Sequence, residues 1–231
     1  MRGLTERERW DTCVHEAGHA VAFALGAVKV QRVAVAPLGA ESWRTASSNG
    51  RTCSDLWGLC VKSELVLPRQ LLRWMMSEGG LHADARGYER VLGSPEGRAQ
   101  VENLTPKQQR EIRAQMVGLL AGPVAEQISR GETVDLSVCR ELDDVAKAEA
   151  LSWLLPSRGE FGHAFRLAEM ALRRPEVWAQ VVTLAEALER AGDVGEGIRD
   201  FLPGAEPDWP PPAIADALPG EPVGGAASLQ P

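Results

Sequence analysis

The segment His15-Glu16-Ala17-Gly18-His19 sets two imidazoles four positions apart, with a carboxylate directly after the first. On a helix of about 3.6 residues per turn, His15 and His19 share one face and can point at a single metal ion. Zinc accepts neutral imidazole nitrogen readily, and two such ligands leave room for a third protein ligand and a water. Glu16 then stands where it can take a proton from a water whose pKa the metal has lowered from about 15.7 toward about 7. The chemistry this implies is hydrolysis, with His15 and His19 as metal ligands and Glu16 as general base. Ala17 and Gly18 are small and allow a neighbouring segment to approach the metal side of the helix. Two of the four histidines in the chain are used here.

The elements that must position this motif are legible around it. Thr5 and Glu8 have the spacing of a capping box, and Trp10, Val14, Ala17, Val21 and Leu25 recur at helical spacing, so a helix is expected from about Thr5 to Leu25, ending at Gly26. Val28 to Val35 reads as a short strand rich in β-branched residues, with an alternation that breaks down after Arg32. Ser47-Ser48-Asn49-Gly50 is a turn signal, and Trp57 to Leu67 is a second strand candidate. The remainder is helical. One pattern covers Arg69 to Leu92 with an interruption at Gly79-Gly80. Another starts at Thr105-Pro106, runs to about Ser129 and is expected to bend at Gly122-Pro123. Further helices are expected over Arg140–Leu154, twice within 160–191, and briefly before Pro203. The fold class is therefore α+β, mostly α-helical, with a small N-terminal sheet and a C-terminal helical bundle.

Composition narrows the function. The chain has 231 residues, 44% hydrophobic and 25% charged, with a net charge of −7, enough for one domain with a sizeable core. An acidic chain with only four lysines (Lys29, Lys62, Lys107, Lys147) and no polybasic patch is a poor partner for nucleic acid. The charged N-terminus is unlike a secretion signal. The most apolar stretch, Ala20 to Val28, is too short to span a bilayer. No membrane anchor and a cytoplasmic location with reduced thiols are the expectations. From Pro203 onward more than half of the 15 prolines crowd into the end of the chain, with no Lys or Arg, so 203–231 is expected to be a disordered Pro/Gly-rich tail.

A third protein ligand is needed, and Asp, Glu, His and Cys are all eligible by chemistry. Three stretches together resemble the peptidase domain of the FtsH-type AAA+ zinc proteases: Val14-His15-Glu16-Ala17-Gly18-His19-Ala20-Val21, Leu120-Ala121-Gly122-Pro123-Val124-Ala125-Glu126-Gln127-Ile128, and Asp144-Val145-Ala146-Lys147-Ala148 with Leu151. The resemblance implies a zincin-like fold over residues 1–202, with an unfamiliar insertion at about 40–104. It implies Asp144 as third zinc ligand, with Asp143 as rival one residue away, and Glu126 as a residue beside the metal helix able to hydrogen-bond a ligand histidine. Departures are visible. Leu136-Ser137-Val138-Cys139 stands where that family has T-G-A, and Pro37-Leu38-Gly39 where it has P-R-G.

The chain contains no G-x-x-x-x-G-K-[ST] nucleotide loop. The expectation is thus an ATP-independent zinc endopeptidase acting on flexible or unfolded polypeptides, or one working with a partner ATPase or as a homo-oligomer. A peptide could add as a strand to the edge of Val28–Val35. The alternatives are a non-proteolytic zinc-binding regulatory module, for which Glu16 would be superfluous, and a structural zinc domain, for which Cys139 is the obvious spare ligand. Cys53 and Cys60 read as ordinary free thiols, Cys13 as a core residue rather than a ligand, His82 and His163 as surface or capped residues, and Trp10, Trp74, Trp153 and Trp178 as core.

Overall fold

The computed structural model describes residues 3–46, 52–54, 56–77, 85–139 and 143–213. Helix α1 (Glu6–Leu25) opens with the expected capping box: the Thr5 hydroxyl accepts the Glu8 N–H, and the Glu8 carboxylate accepts the Thr5 N–H. It is not a surface helix with one apolar stripe. Cys13, Val14, Ala17, Ala20, Val21, Ala22, Phe23 and Leu25 are all buried, because other elements pack around most of its circumference. Arg9 fastens one flank by donating to the carbonyls of Ala36, Leu188 and Glu189.

Strand β1 (Val30–Val35) follows. After it come β2 (Arg44–Ala46), β3 (Thr52–Ser54) and β4 (Gly58–Lys62). β2 and β3 pair antiparallel to each other, Thr45 facing Cys53; the Ser47–Gly50 turn signal between them lies outside the described residues. The main sheet has the order β4-β1-β5 and is antiparallel throughout, β5 being the two residues Asp193–Val194. β1 is therefore the central strand, and both its edges are occupied. This explains its apolar run Val33-Ala34-Val35, buried at every position. It also corrects the expectation that a peptide could add to the edge of Val28–Val35. The broken alternation has a structural counterpart: the register with β4 slips between Val30 and Arg32, leaving Gln31 as the extra residue of a bulge. The second strand is shorter than expected, because Ser63 to Pro68 leave the sheet.

Helices α2 (Arg69–Ser77), α3 (Ala85–Leu92) and α4 (Pro95–Glu102) occupy the expected insertion. The Gly79-Gly80 interruption and His82 lie outside the described residues. α4, capped by Ser94 with Pro95 at its start, was not expected. Helix α5 (Pro106–Ser129) carries the capping box Thr105–Gln108 and continues unbroken through Gly122-Pro123. A short turn, α6 (Leu136–Cys139), precedes α7 (Asp143–Ser152). The chain closes with α8 (Glu160–Leu172), α9 (Pro175–Ala191) and a 3-10 turn at Ile198–Phe201. The architecture is mostly helical with a small antiparallel sheet, as the α+β reading expected. Among the described residues no helix is long and apolar enough to cross a membrane.

The core is the seam between α1 and α5. A Cβ on Gly18 would lie 2.6 Å from the Ala125 methyl and 2.8 Å from the Ala121 carbonyl oxygen, and one on Gly118 would enter the Phe23 ring at 2.1 Å. Small residues on both helices let the backbones approach. A buried Arg113–Glu160 pair, with contacts at 2.6 and 2.8 Å, ties α5 to α8. Trp10, Trp74, Trp153 and Trp178 pack against this core.

The expectation of disorder from Pro203 is corrected for residues 203–213. The Glu206 N–H donates to the Leu25 carbonyl at 3.0 Å, the Glu206 carboxylate pairs with Arg174, Trp209 packs on the core, and His163 Nε2 lies 3.2 Å from the Pro211 carbonyl. A Pro-rich segment with a Trp and a Glu has anchors that composition alone conceals. Residues 214–231 lie outside the described part.

Candidate metal centre

The helical spacing brings the two imidazoles edge to face, with ring centroids 4.5 Å apart. His15 Nε2 and His19 Nε2 approach to 2.9 Å. Asp144, on the first turn of α7, places Oδ2 3.4 Å from the former and 3.2 Å from the latter. All three donor atoms lie within 4.8 Å of one another, and the group could hold a metal ion. Asp143 does not join it. Its side chain is 80% exposed, against 27% for Asp144, and its carboxylate pairs with Lys147 one turn on.

The other nitrogen of each imidazole is already committed. His15 Nδ1 lies 2.6 Å from Glu126 Oε1, and His19 Nδ1 lies 2.7 Å from the Gly118 carbonyl oxygen. Both partners can only accept, so both Nδ1 atoms carry hydrogen and donate. In the neutral tautomer this leaves two Nε2 lone pairs and a carboxylate oxygen converging on one point. Only a cation or a proton relieves that arrangement, and metal-binding histidines characteristically have their second nitrogen held this way. The electrostatics agree. Burial opposes charge on His15, but its hydrogen bonds to Asp144 and Glu126 outweigh burial and lift its pKa to about 10. Burial likewise disfavours the Asp144 anion, yet the neighbouring His19 and the hydrogen bonds from both histidines hold its carboxyl well below the usual range.

Space is reserved on the metal side as well. A Cβ on Gly122 would fall 2.4 Å from His19 Nε2 and 2.8 Å from His15 Nε2. Residue 122 thus has no room for a side chain beside the donor atoms, and the donor set together with this gap fits a bound metal ion.

Glu126 touches His15 directly, and a further circuit supports it. Arg130 donates to Glu126 Oε2 at 2.9 Å and to Asp11 Oδ2 at 2.8 Å. Asp11 and His15 are four apart on α1; Glu126 lies in the last turn of α5, and Arg130, four residues on, is its C-cap. The four side chains thereby form a chain of contacts, His15–Glu126–Arg130–Asp11, that crosses the seam and returns to α1. Neither Asp11 nor Arg130 was expected, although each stands one helical turn from a residue already singled out, which is the signal that would have found them.

Glu16 is buried and points away from the α5 seam toward β4, where a Cβ on Gly58 would meet its Oε1 at 2.4 Å. Burial raises its pKa against the opposing pull of His15 and His19. Among the described residues nothing hydrogen-bonds its carboxylate. It lines a cleft of about 750 Å³ together with the three donors, Trp57, Gly58, Cys60 and Lys62. The outer edge of β4 has no partner strand among the described residues. Cys139 stands apart from the donors, with Sγ 2.7 Å from Gln127 Nε2; Cys13, Cys60 and Cys139 are free thiols.

No protein-family model matches the chain, and no curated protein is similar enough to match it.

Proposed function

We propose that this chain is a zinc metallopeptidase of zincin-like fold, related to the FtsH-type peptidases, that hydrolyses peptide bonds in flexible or unfolded polypeptides. The observation that carries the reading is the convergence of His15 Nε2, His19 Nε2 and Asp144 Oδ2 at a cleft that Glu16 also lines. His15, His19 and Asp144 would hold the zinc. Two imidazoles and one carboxylate suit zinc and leave a position open to solvent, as a catalytic site requires. A structural site would close that position with a further ligand, and Cys139 is engaged elsewhere. Bound zinc supplies Lewis acidity, polarising the scissile carbonyl and making water acidic enough for Glu16 to deprotonate.

The chain's own residues do the rest. Glu16, made a stronger base by burial, takes the proton from the attacking water and returns it to the departing amine nitrogen. Glu126 and the Gly118 carbonyl fix the orientation of the two imidazoles. The open edge of β4 receives the substrate as an added strand, laying its carbonyl over the gap between Gly58 and the donors. Only an extended segment can pair in this way, which is why folded substrates are excluded.

The test is zinc content with peptide cleavage for wild type and Glu16→Gln. One zinc per chain in both, with cleavage abolished in Glu16→Gln, is the expected result. Undiminished cleavage in the variant overturns the assignment of Glu16, and no zinc in the wild type overturns the reading.

A further inference from the structure

The cleft extends past the donor atoms toward the last turn of α1. Phe23 lies one turn beyond His19, and the two rings stack with centroids 6.2 Å apart. Lys62, at the end of β4, sets its Nζ 5.0 Å above the centre of the Phe23 ring. Its ammonium donates to Gln115 Oε1, and Gln115 in turn donates to the Ser63 carbonyl at 3.3 Å. The amine is thus tethered in place, at one of its three donor positions, in a cleft whose lining includes Leu65, Leu119 and Leu151.

Of the two lysines lining the cleft, Lys147 is neutralised by Asp143 and lies 3.8 Å from Asp144 Oδ1. Lys62 has no carboxylate within ion-pair distance among the described residues. Burial lowers its pKa, so its charge is short of solvation and gains from an anion brought beside it. Cation–π contact with Phe23 and one neutral amide replace lost hydration only in part.

We propose that Lys62 determines specificity in this cleft by receiving a carboxylate of the bound peptide, so that chains with an acidic side chain or a free C-terminal carboxylate near the scissile bond are preferred. This rests on the peptidase reading. The spacing is set by two geometries. His19 to Phe23 is four residues of helix, about 6 Å. An extended chain covers that in about two residues. With the Lys62 amine held over the Phe23 ring, the carboxylate belongs within a few residues of the bond that is cut.

The experiment uses the full chain, zinc-loaded and carrying Glu16→Gln so that peptides bind without being consumed. Ten-residue peptides differing only in Glu, Gln or Lys at one scanned position, each with a free or amidated C-terminus, are titrated calorimetrically. The Glu peptide should bind about tenfold tighter than the Gln peptide at one position, as expected for a charge-assisted contact. Adding Lys62→Met should abolish that ratio, Lys62→Glu should favour the Lys peptide, and Lys62→Arg should retain the original preference. Preference that follows the free terminus rather than the side chain identifies the terminal carboxylate as the source.

Equal binding of the Glu and Gln peptides at every position and with either terminus overturns the proposal. So does a preference that persists in a Lys62→Met protein of normal zinc content. Wild-type cleavage of the same peptides without acidic preference removes the role of Lys62 and leaves the peptidase reading standing. Selective binding without wild-type cleavage removes the peptidase reading and leaves Lys62 as the acid-recognising group.

Discussion

Glu126 Oε1 lies 2.6 Å from His15 Nδ1, and its other oxygen takes a hydrogen bond from Arg130. The carboxylate therefore supports the candidate metal centre without being one of its three donors: it fixes the His15 tautomer and is itself held from behind. Glu126→Gln and Arg130→Met should each weaken zinc binding, the former about 10- to 100-fold, as measured by competition with a chromogenic chelator. Arg130→Lys should recover part of the loss. Wild-type affinity in Glu126→Gln would show the contact to be incidental.

Gly122 offers a separation of folding from metal binding. A methyl there meets both Nε2 atoms, at 2.4 and 2.8 Å, while alanine in a helix interior is otherwise favoured over glycine by about 1 kcal/mol. Gly122→Ala should keep its helical circular dichroism and lose stoichiometric zinc. One zinc per chain in the variant would mean that the donors converge elsewhere.

Gly58 makes the corresponding statement about Glu16. A side chain at 58 meets the Glu16 carboxylate at 2.4 Å. Gly58→Ala should leave zinc content unchanged and lower kcat at least tenfold, because a base displaced by about 1 Å loses much of its effect. An unchanged kcat would place the working carboxylate outside the reach of β4.

The segment 203–213 clasps the end of α1 through Glu206 and Trp209. A chain ending at 202 should be less stable than one ending at 213 by about 2 kcal/mol, for the burial of a Trp and an anchored Glu. In a chain of this size that is a melting temperature roughly 4–8 °C lower. Identical melting curves would show that the clasp contributes nothing.

On the proposed reading, removing zinc should loosen the packing of α7 on α1, since the donors join those two helices. Zinc at a thousandfold excess over its dissociation constant stabilises the folded chain by about 4 kcal/mol. Dialysis against a chelator should therefore lower the melting temperature by roughly 8–16 °C, and restoring zinc should recover it. His15→Ala should show no response to added zinc.

Much of the site could be read along the chain because its parts are local. A four-residue interval on a capped helix delivers His15 and His19, and Thr105-Pro106 announces α5 for the same reason. Asp144 was reached through a resemblance, and one step of helix, about 100°, is what separates it from the exposed Asp143. What stayed hidden is non-local. β1 looks like any short strand until β4 and the two residues of β5 close on both its edges. Gly122 looks like a helix irregularity until the His15 and His19 rings face it. Pro-rich 203–213 looks unstructured until Leu25 and Arg174 supply partners. None of these partners lies within a helical turn of the residue it explains.

His15 and Asp144 stand 129 positions apart in the chain. During synthesis at about 5–20 residues per second, the interval between them is on the order of ten seconds. For that time a nascent chain displays two imidazoles with no carboxylate to complete the set. The three-donor group of His15, His19 and Asp144 is incomplete until α7 has emerged and docked. On the proposed function, hydrolysis would therefore begin only after the first 144 residues have been made and α7 has docked against α1.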